Sequence, residues 1–131
     1  MSKDTVPDLP IGVAVMDWKA PPIPLAAPLQ GDYARVEPLD VATHSDSLFA
    51  AFAEDGTEQG WTYMGYGPFA DKAQFDEWLV GSCLGADPMF FSILEQSSDT
   101  ALGMASFMNI NPAGGSIEVG NIHFSPSLRK T

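Results

Sequence analysis

Three short apolar runs, Met89 to Leu94, Gly103 to Ile110 and Ile117 to Phe124, follow one another after Pro88 with only polar turns between them. Runs of this length bounded by turn residues are strands. The stretch Asn111-Pro112-Ala113-Gly114-Gly115 between the last two holds the residue types of an antiparallel hairpin turn. The second half of the chain must therefore fold as a sheet, and the first half must supply what covers it.

Ahead of Pro88 the periodicity changes. Tyr33 to Leu39 (YARVEPL) alternates and predicts a short first strand. Thr43 and Asp46, spaced as a capping box, precede Leu48, Phe49 and Phe52 on one helical face, which predicts a helix over 44–54 ended by Glu54-Asp55-Gly56. Trp61 to Pro68 reads as a loop rich in aromatics and glycine. Asp71 then caps a second helix whose Phe75, Trp78 and Leu79 share a face, with Gly85 and Pro88 as its stops. The order β-α-α-β-β-β is an α+β pattern, and 131 residues fit one domain. Residues 1–30 stand apart as a proline-rich arm, holding six of the eleven prolines. Such a stretch is extended, either as a docking motif for an SH3-like partner or, as expected here, laid across its own domain with Trp18, Ile23 and Leu25 as anchors.

Charge narrows the partners. Seventeen acidic against six basic residues give a net charge of -11, a field that repels phosphate backbones and acidic membrane faces and attracts cationic amines. No nucleic acid and no membrane is expected as a partner. The single Cys83 excludes an internal disulfide, and two isolated histidines without further cysteines do not make a zinc site, so no metal is expected. No apolar run of eighteen residues and no signal-peptide pattern is present, and one cysteine suits a reducing compartment; the expectation is a soluble, cytoplasmic protein.

The segments Gly31–Leu39 (GDYARVEPL), Trp61–Trp78 (WTYMGYGPFADKAQFDEW), Asp87–Ile93 (DPMFFSI), Ala101–Ile110 (ALGMASFMNI) and Ile117–Thr131 (IEVGNIHFSPSLRKT), in this order, resemble the N-terminal part of a GNAT-superfamily N-acetyltransferase, in particular the RimJ/RimL-like branch. The resemblance covers residues 31–131. It implies a mixed, mainly antiparallel sheet with flanking helices and acetyl-CoA as co-substrate. It also implies that main-chain groups of the strand Ile117 to Phe124, here Ile122 and Phe124, hold the pantetheine and thioester. Ser125-Pro126 resembles the family's strand-to-loop junction. Arg129, Lys130 and Thr131 match the first three positions of its Arg/Gln-x-x-Gly-x-Gly/Ala pyrophosphate loop, whose glycine positions and following helix do not occur in this sequence.

Acetyl transfer to a primary amine needs a base for the ammonium proton and a proton source for the leaving thiolate. Glu118 is the candidate base. Strict alternation puts Glu118, Gly120, Ile122 and Phe124 on one face and Ile117, Val119, Asn121 and His123 on the other. A carboxylate beside a mostly apolar row loses solvation, which favours the proton uptake a base performs near neutral pH. The other reading of Glu118 is a solvated glutamate on an edge strand. His123 is either a second acid or base or a packed, hydrogen-bonded histidine. His44 reads as surface or capping, and Cys83 as a half-buried structural thiol. Tyr63, Tyr66 and Phe69 either wall the amine pocket or form a small satellite core.

With the strand Ile117 to Phe124 lacking a further neighbour, one edge and one sheet face stay uncovered, so a homodimer or a domain-swapped assembly is expected. The rival to an acetyltransferase is a non-catalytic binding or oligomerisation module built on a partial fold of the same kind.

Overall fold

A computed structural model describes residues 10–54, 56 and 59–130. The helix end expected at Asp55 and the loop position Thr131 lie outside these residues. Five strands form one antiparallel sheet in chain order: β1 (Leu29–Gln30), β2 (Ala34–Pro38), β3 (Met89–Glu95), β4 (Thr100–Asn111) and β5 (Ser116–Phe124). Two helices, α1 (Val41–Phe52) and α2 (Lys72–Ser82), lie between β2 and β3. This is the expected α+β architecture, with β1 added by the end of the arm.

The helices start where short polar side chains replace their missing partners. Asp40 caps α1, its carboxylate accepting the Thr43 N–H at 3.1 Å, and Asp71 caps α2 through the Gln74 N–H at 2.9 Å. The Thr43–Asp46 spacing therefore misplaced the start of α1 by one cap, because Asp40 competes for the same orphan donors and wins. His44 completes the cap. Its Nδ1 accepts the Asp40 N–H at 3.1 Å and its Nε2 meets Glu37 Oε2 at 2.8 Å, and the ring is buried, which corrects the surface half of its expected placement.

Both helices cover one face of the sheet. Leu48 and Phe52 from α1, Phe75 and Leu79 from α2, and Phe90, Leu94, Ala101 and Met104 from the strands form one buried cluster with Trp61 and Cys83. Burial pushes the Cys83 thiol up to about 12, so it stays a protonated packing group. Ser92 sits fully buried opposite Met104, and its hydroxyl has no hydrogen-bond partner among the described residues. A buried hydroxyl without a partner costs about 1–3 kcal/mol. Ser92→Ala is expected to raise the melting temperature by about 4 °C or more, read by calorimetry; a fall would mean the hydroxyl has a partner.

Two carboxylates tie the layers together. Glu37 is held below its ordinary value of 4.5 first by Arg35 and then by His44, and Asp76 below 3.8 first by Lys72 and then by Ser45. A lowered folded-state value contributes stability that is complete above the ordinary value and is lost as pH falls through the lowered one. Melting temperature should therefore drop as pH is taken below 4.5 and then 3.8. Glu37→Gln should start lower and lose less over the same range; parallel curves for the two proteins would contradict this.

The arm lies partly against the domain. At Gly115, in the β4–β5 turn with φ 66°, an added Cβ would collide with the Trp18 ring. Pro21, Pro22 and Pro24 line a groove with Ile110, Pro112 and Ile117. Trp18 lays its ring on the Gly115 turn while staying 54% exposed, and Ile23 and Leu25 are 60% and 83% exposed.

Candidate functional site

Strand β5 does not alternate as its sequence suggests. Its register against β4 pairs Glu118 with Met108 and Gly120 with Ser106, then shifts by one residue so that His123 pairs with Met104 and Phe124 with Gly103. The extra residue is Asn121, whose φ of 51° lies in the left-handed region that asparagine tolerates better than most side chains. A bulge of one residue inverts the parity of everything after it. Glu118, Gly120, Asn121 and His123 consequently face the helices. Ile117, Val119, Ile122 and Phe124 face away, between 39% and 57% exposed. The split expected from alternation is corrected on this point: Glu118 and His123 share a face, and Ile122 and Phe124 leave it.

The bulge also turns the main chain. The Ser125 N–H bonds the Leu102 carbonyl at 3.0 Å, so residue 125 points its main chain at β4 and the neighbouring residues alternate from there. Phe124 therefore aims its N–H and C=O groups at the open edge of β5. Phe124 verifies this directly, since its carbonyl accepts from Arg129 Nε at 2.9 Å. Ser125 is buried and starts the turn to Leu128–Lys130, a single 3-10 turn whose Leu128 and Arg129 N–H groups bond its carbonyl. Arg129 folds back onto the strand end.

Glu118 is exposed, and its carboxylate accepts from Asn109 Nδ2 at 2.6 Å. Along β5 the residues on its face, Gly120, Asn121 and His123, are small or polar where an apolar row was expected, and Met108 stands opposite it on β4. Asn109, with φ 49°, is itself fixed by Asp87, whose two carboxylate oxygens accept the Asn109 and Ile110 N–H groups at 3.0 Å each. His123 lies deeper, 6% exposed, stacked on Trp61 at 3.9 Å between ring centroids and edge-on to Phe52 at 4.4 Å. This is the packed histidine of the two readings. Tyr66 and Phe69 are half-buried against Trp61 and Trp78, while Tyr63 is 98% exposed.

Tyr66 reaches the strand: its hydroxyl donates to Asn121 Oδ1 at 2.9 Å. A Cβ at Gly120 beside it would meet the Met108 sulfur, which belongs to a flexible side chain. Two concavities lie apart from Glu118. One is an aromatic cavity of about 250 Å³ between α1 and the α1–α2 loop, lined by Phe49, Phe52, Trp61, Phe69 and Phe75; the other is a groove at the β2–β3 end lined by Asp32, Tyr33 and Glu95. Neither contains a group from β5. The residues missed by sequence reasoning are Asn109, Asn121, Ser106 and Asp87; asparagine inside a strand run, where it is depleted, was the available signal.

No protein-family model matches the chain, and no curated protein matches it. Among solved structures, a GCN5-related N-acetyltransferase from Brucella melitensis is 36% identical over 86% of this chain, with a TM-score of 0.82. A probable acetyltransferase of the GNAT family from Chromobacterium violaceum is 32% identical over 95%, with a TM-score of 0.81. A third, from T. thermophilus, shares the fold at 16% identity and a TM-score of 0.68. The chain spans 51% and 62% of the lengths of the first two. Its five-stranded antiparallel sheet with two helices is the GNAT acyl-CoA N-acyltransferase fold over about half of that fold's length, and its structural neighbours are GNAT-family acetyltransferases. No described helix is long and apolar enough to cross a membrane, and among the described residues no three His, Cys, Asp or Glu side chains come together as a metal site.

Proposed function

We propose that the chain is part of an acetyl-CoA-dependent N-acetyltransferase of the RimJ/RimL-like branch that acts on a primary amine. The observation that carries this is the bulge at Asn121, after which the Phe124 carbonyl lies at the strand edge while Glu118 keeps to the helix face. Acetyl-CoA supplies the activated acetyl thioester. Ile122 and Phe124 would receive it along the strand, with Arg129 beside the strand end as a cationic group for its phosphates and Lys130 next to it in sequence. Glu118 would take one proton from the ammonium of the incoming amine, so that nitrogen forms the new C–N bond as the C–S bond breaks; the second proton shed by that nitrogen goes to the departing sulfur, which leaves as the thiol. The Asn109 bond orients the carboxylate for this. A net charge of -11 favours a cationic acceptor.

The test is acetyl transfer itself. The 131-residue chain, and a chimera joining it to the remaining half of the Brucella acetyltransferase, are incubated with acetyl-CoA and a panel of amines. Released thiol is followed by colour and acetylated amine by mass spectrometry. Product from the chimera supports the reading, whereas none from either protein with any amine, with both folded, overturns it.

The exposed row Ile117, Val119, Ile122 and Phe124 on an unpaired edge favours a second element of the reading, a homodimer or swapped assembly. Light scattering at micromolar concentration is expected to give twice the 14.0 kDa chain mass or more; a monodisperse monomer contradicts it.

A further inference from the structure

The α1–α2 loop and β5 are joined by a relay of hydrogen bonds that ends in the bulge. Tyr66 Oη donates to Asn121 Oδ1 at 2.9 Å; Asn121 Nδ2 donates to Ser106 Oγ at 2.9 Å, with the Met108 sulfur at 3.7 Å; Ser106 Oγ donates to the Gly120 carbonyl at 3.1 Å. Both polar ends of the Asn121 amide are thus engaged, and the residue is held at φ 51°. A left-handed conformation is unfavourable for a side chain other than glycine, and the surrounding bonds offset that cost. Tyr66 is itself clamped, its ring 4.4 Å from that of Trp78 and 6.3 Å from that of Trp61. Burial, and secondarily Cys83, pushes its phenol up to about 12, so the hydroxyl keeps its proton and stays a donor throughout the neutral range.

Resting on the acetyl-CoA reading above, we infer that Tyr66 is a positioning residue for the thioester strand, acting through Asn121. Its hydroxyl holds the left-handed turn that sets the path of Ile122 and Phe124 along the edge and leaves Glu118 on the opposite face from the Ile122 side chain. Tyr66 touches no reacting atom in this account. The loop on the amine side and the strand on the thioester side are then one mechanical unit, and a change in the loop is felt as a change in thioester affinity.

The test separates this from mere packing. The 131-residue chain is titrated with S-acetylpantetheine, which carries the thioester and pantetheine arm without the pyrophosphate, and the Ile122 and Phe124 amides are followed by NMR. Tyr66→Phe, which keeps the ring and removes one hydroxyl, is expected to weaken binding about fivefold, the worth of a single neutral hydrogen bond. Asn121→Gly adopts the left-handed turn without help, so it should bind nearly as the parent does. Adding Tyr66→Phe to it should then change nothing. Parent-like binding by Tyr66→Phe, or the same fivefold loss in the glycine background, overturns the inference alone. If the parent chain does not bind, the same series is read in the chimera; failure there too removes the acetyl-CoA reading, and the inference with it.

Discussion

Phe75→Ala is expected to destabilise the domain by about 4 kcal/mol, the largest effect of any single truncation here. Phe75 is 1% exposed at the centre of the layer between helices and sheet. Its ring lies 5.7 Å from Phe49, 6.1 Å from Phe52, 5.5 Å from Phe69 and 6.0 Å from Trp78. Alanine removes both the buried apolar area and these aromatic pairs, and neighbours fixed on two helices and a loop collapse poorly into the space. Against a total stability of roughly 5–15 kcal/mol, that is enough to leave the chain marginal. Urea unfolding followed by tryptophan fluorescence reads it. A loss under about 1 kcal/mol would mean that the α1–α2 layer is not the core described here.

Glu118→Gln carries the second large effect. If Glu118 takes the ammonium proton, the amide, which cannot accept it, should lower kcat for acetyl transfer in the chimera by about 10²–10⁴-fold. KM for acetyl-CoA should stay near its parent value, because the thioester is held by the main chain of Ile122 and Phe124 and not by this side chain. The replacement is nearly isosteric and the site is exposed, so stability should be unchanged. Asn109→Ala should give a smaller loss in kcat, since it removes only the 2.6 Å bond that orients the carboxylate. A Glu118→Gln enzyme within about threefold of the parent would move the base elsewhere on this face or to a water.

The sheet, both helices and the cap at Asp71 were legible because each rests on local signals: turn residues at Asn111 to Gly115, a helical face at Phe75, Trp78 and Leu79, and an acidic cap before it. The α1 start was misread because Asp40 and Thr43 are both credible caps, and only the fold decides which reaches the free N–H groups. The far end of β5 was misread for a different reason. Alternation is an average over regular backbone, and one left-handed residue, Asn121, reverses it for Ile122, His123 and Phe124. Whether a strand bulges depends on cross-strand partners such as Tyr66 and Ser106, which lie 55 and 15 residues away. The resemblance pointed to Ile122 and Phe124 for main-chain contacts, and the Phe124 carbonyl does lie at the edge, where Arg129 Nε bonds it.

The central claim, that β5 is built to hold a thioester cofactor, is tested most directly by calorimetric titration of acetyl-CoA into the 131-residue chain and into the chimera. The account predicts saturable binding to the chimera, weaker binding to the chain alone, and competition by S-acetylpantetheine in both. Absence of heat from either protein, each shown to be folded, would contradict it and leave the interaction module as the reading of this fold.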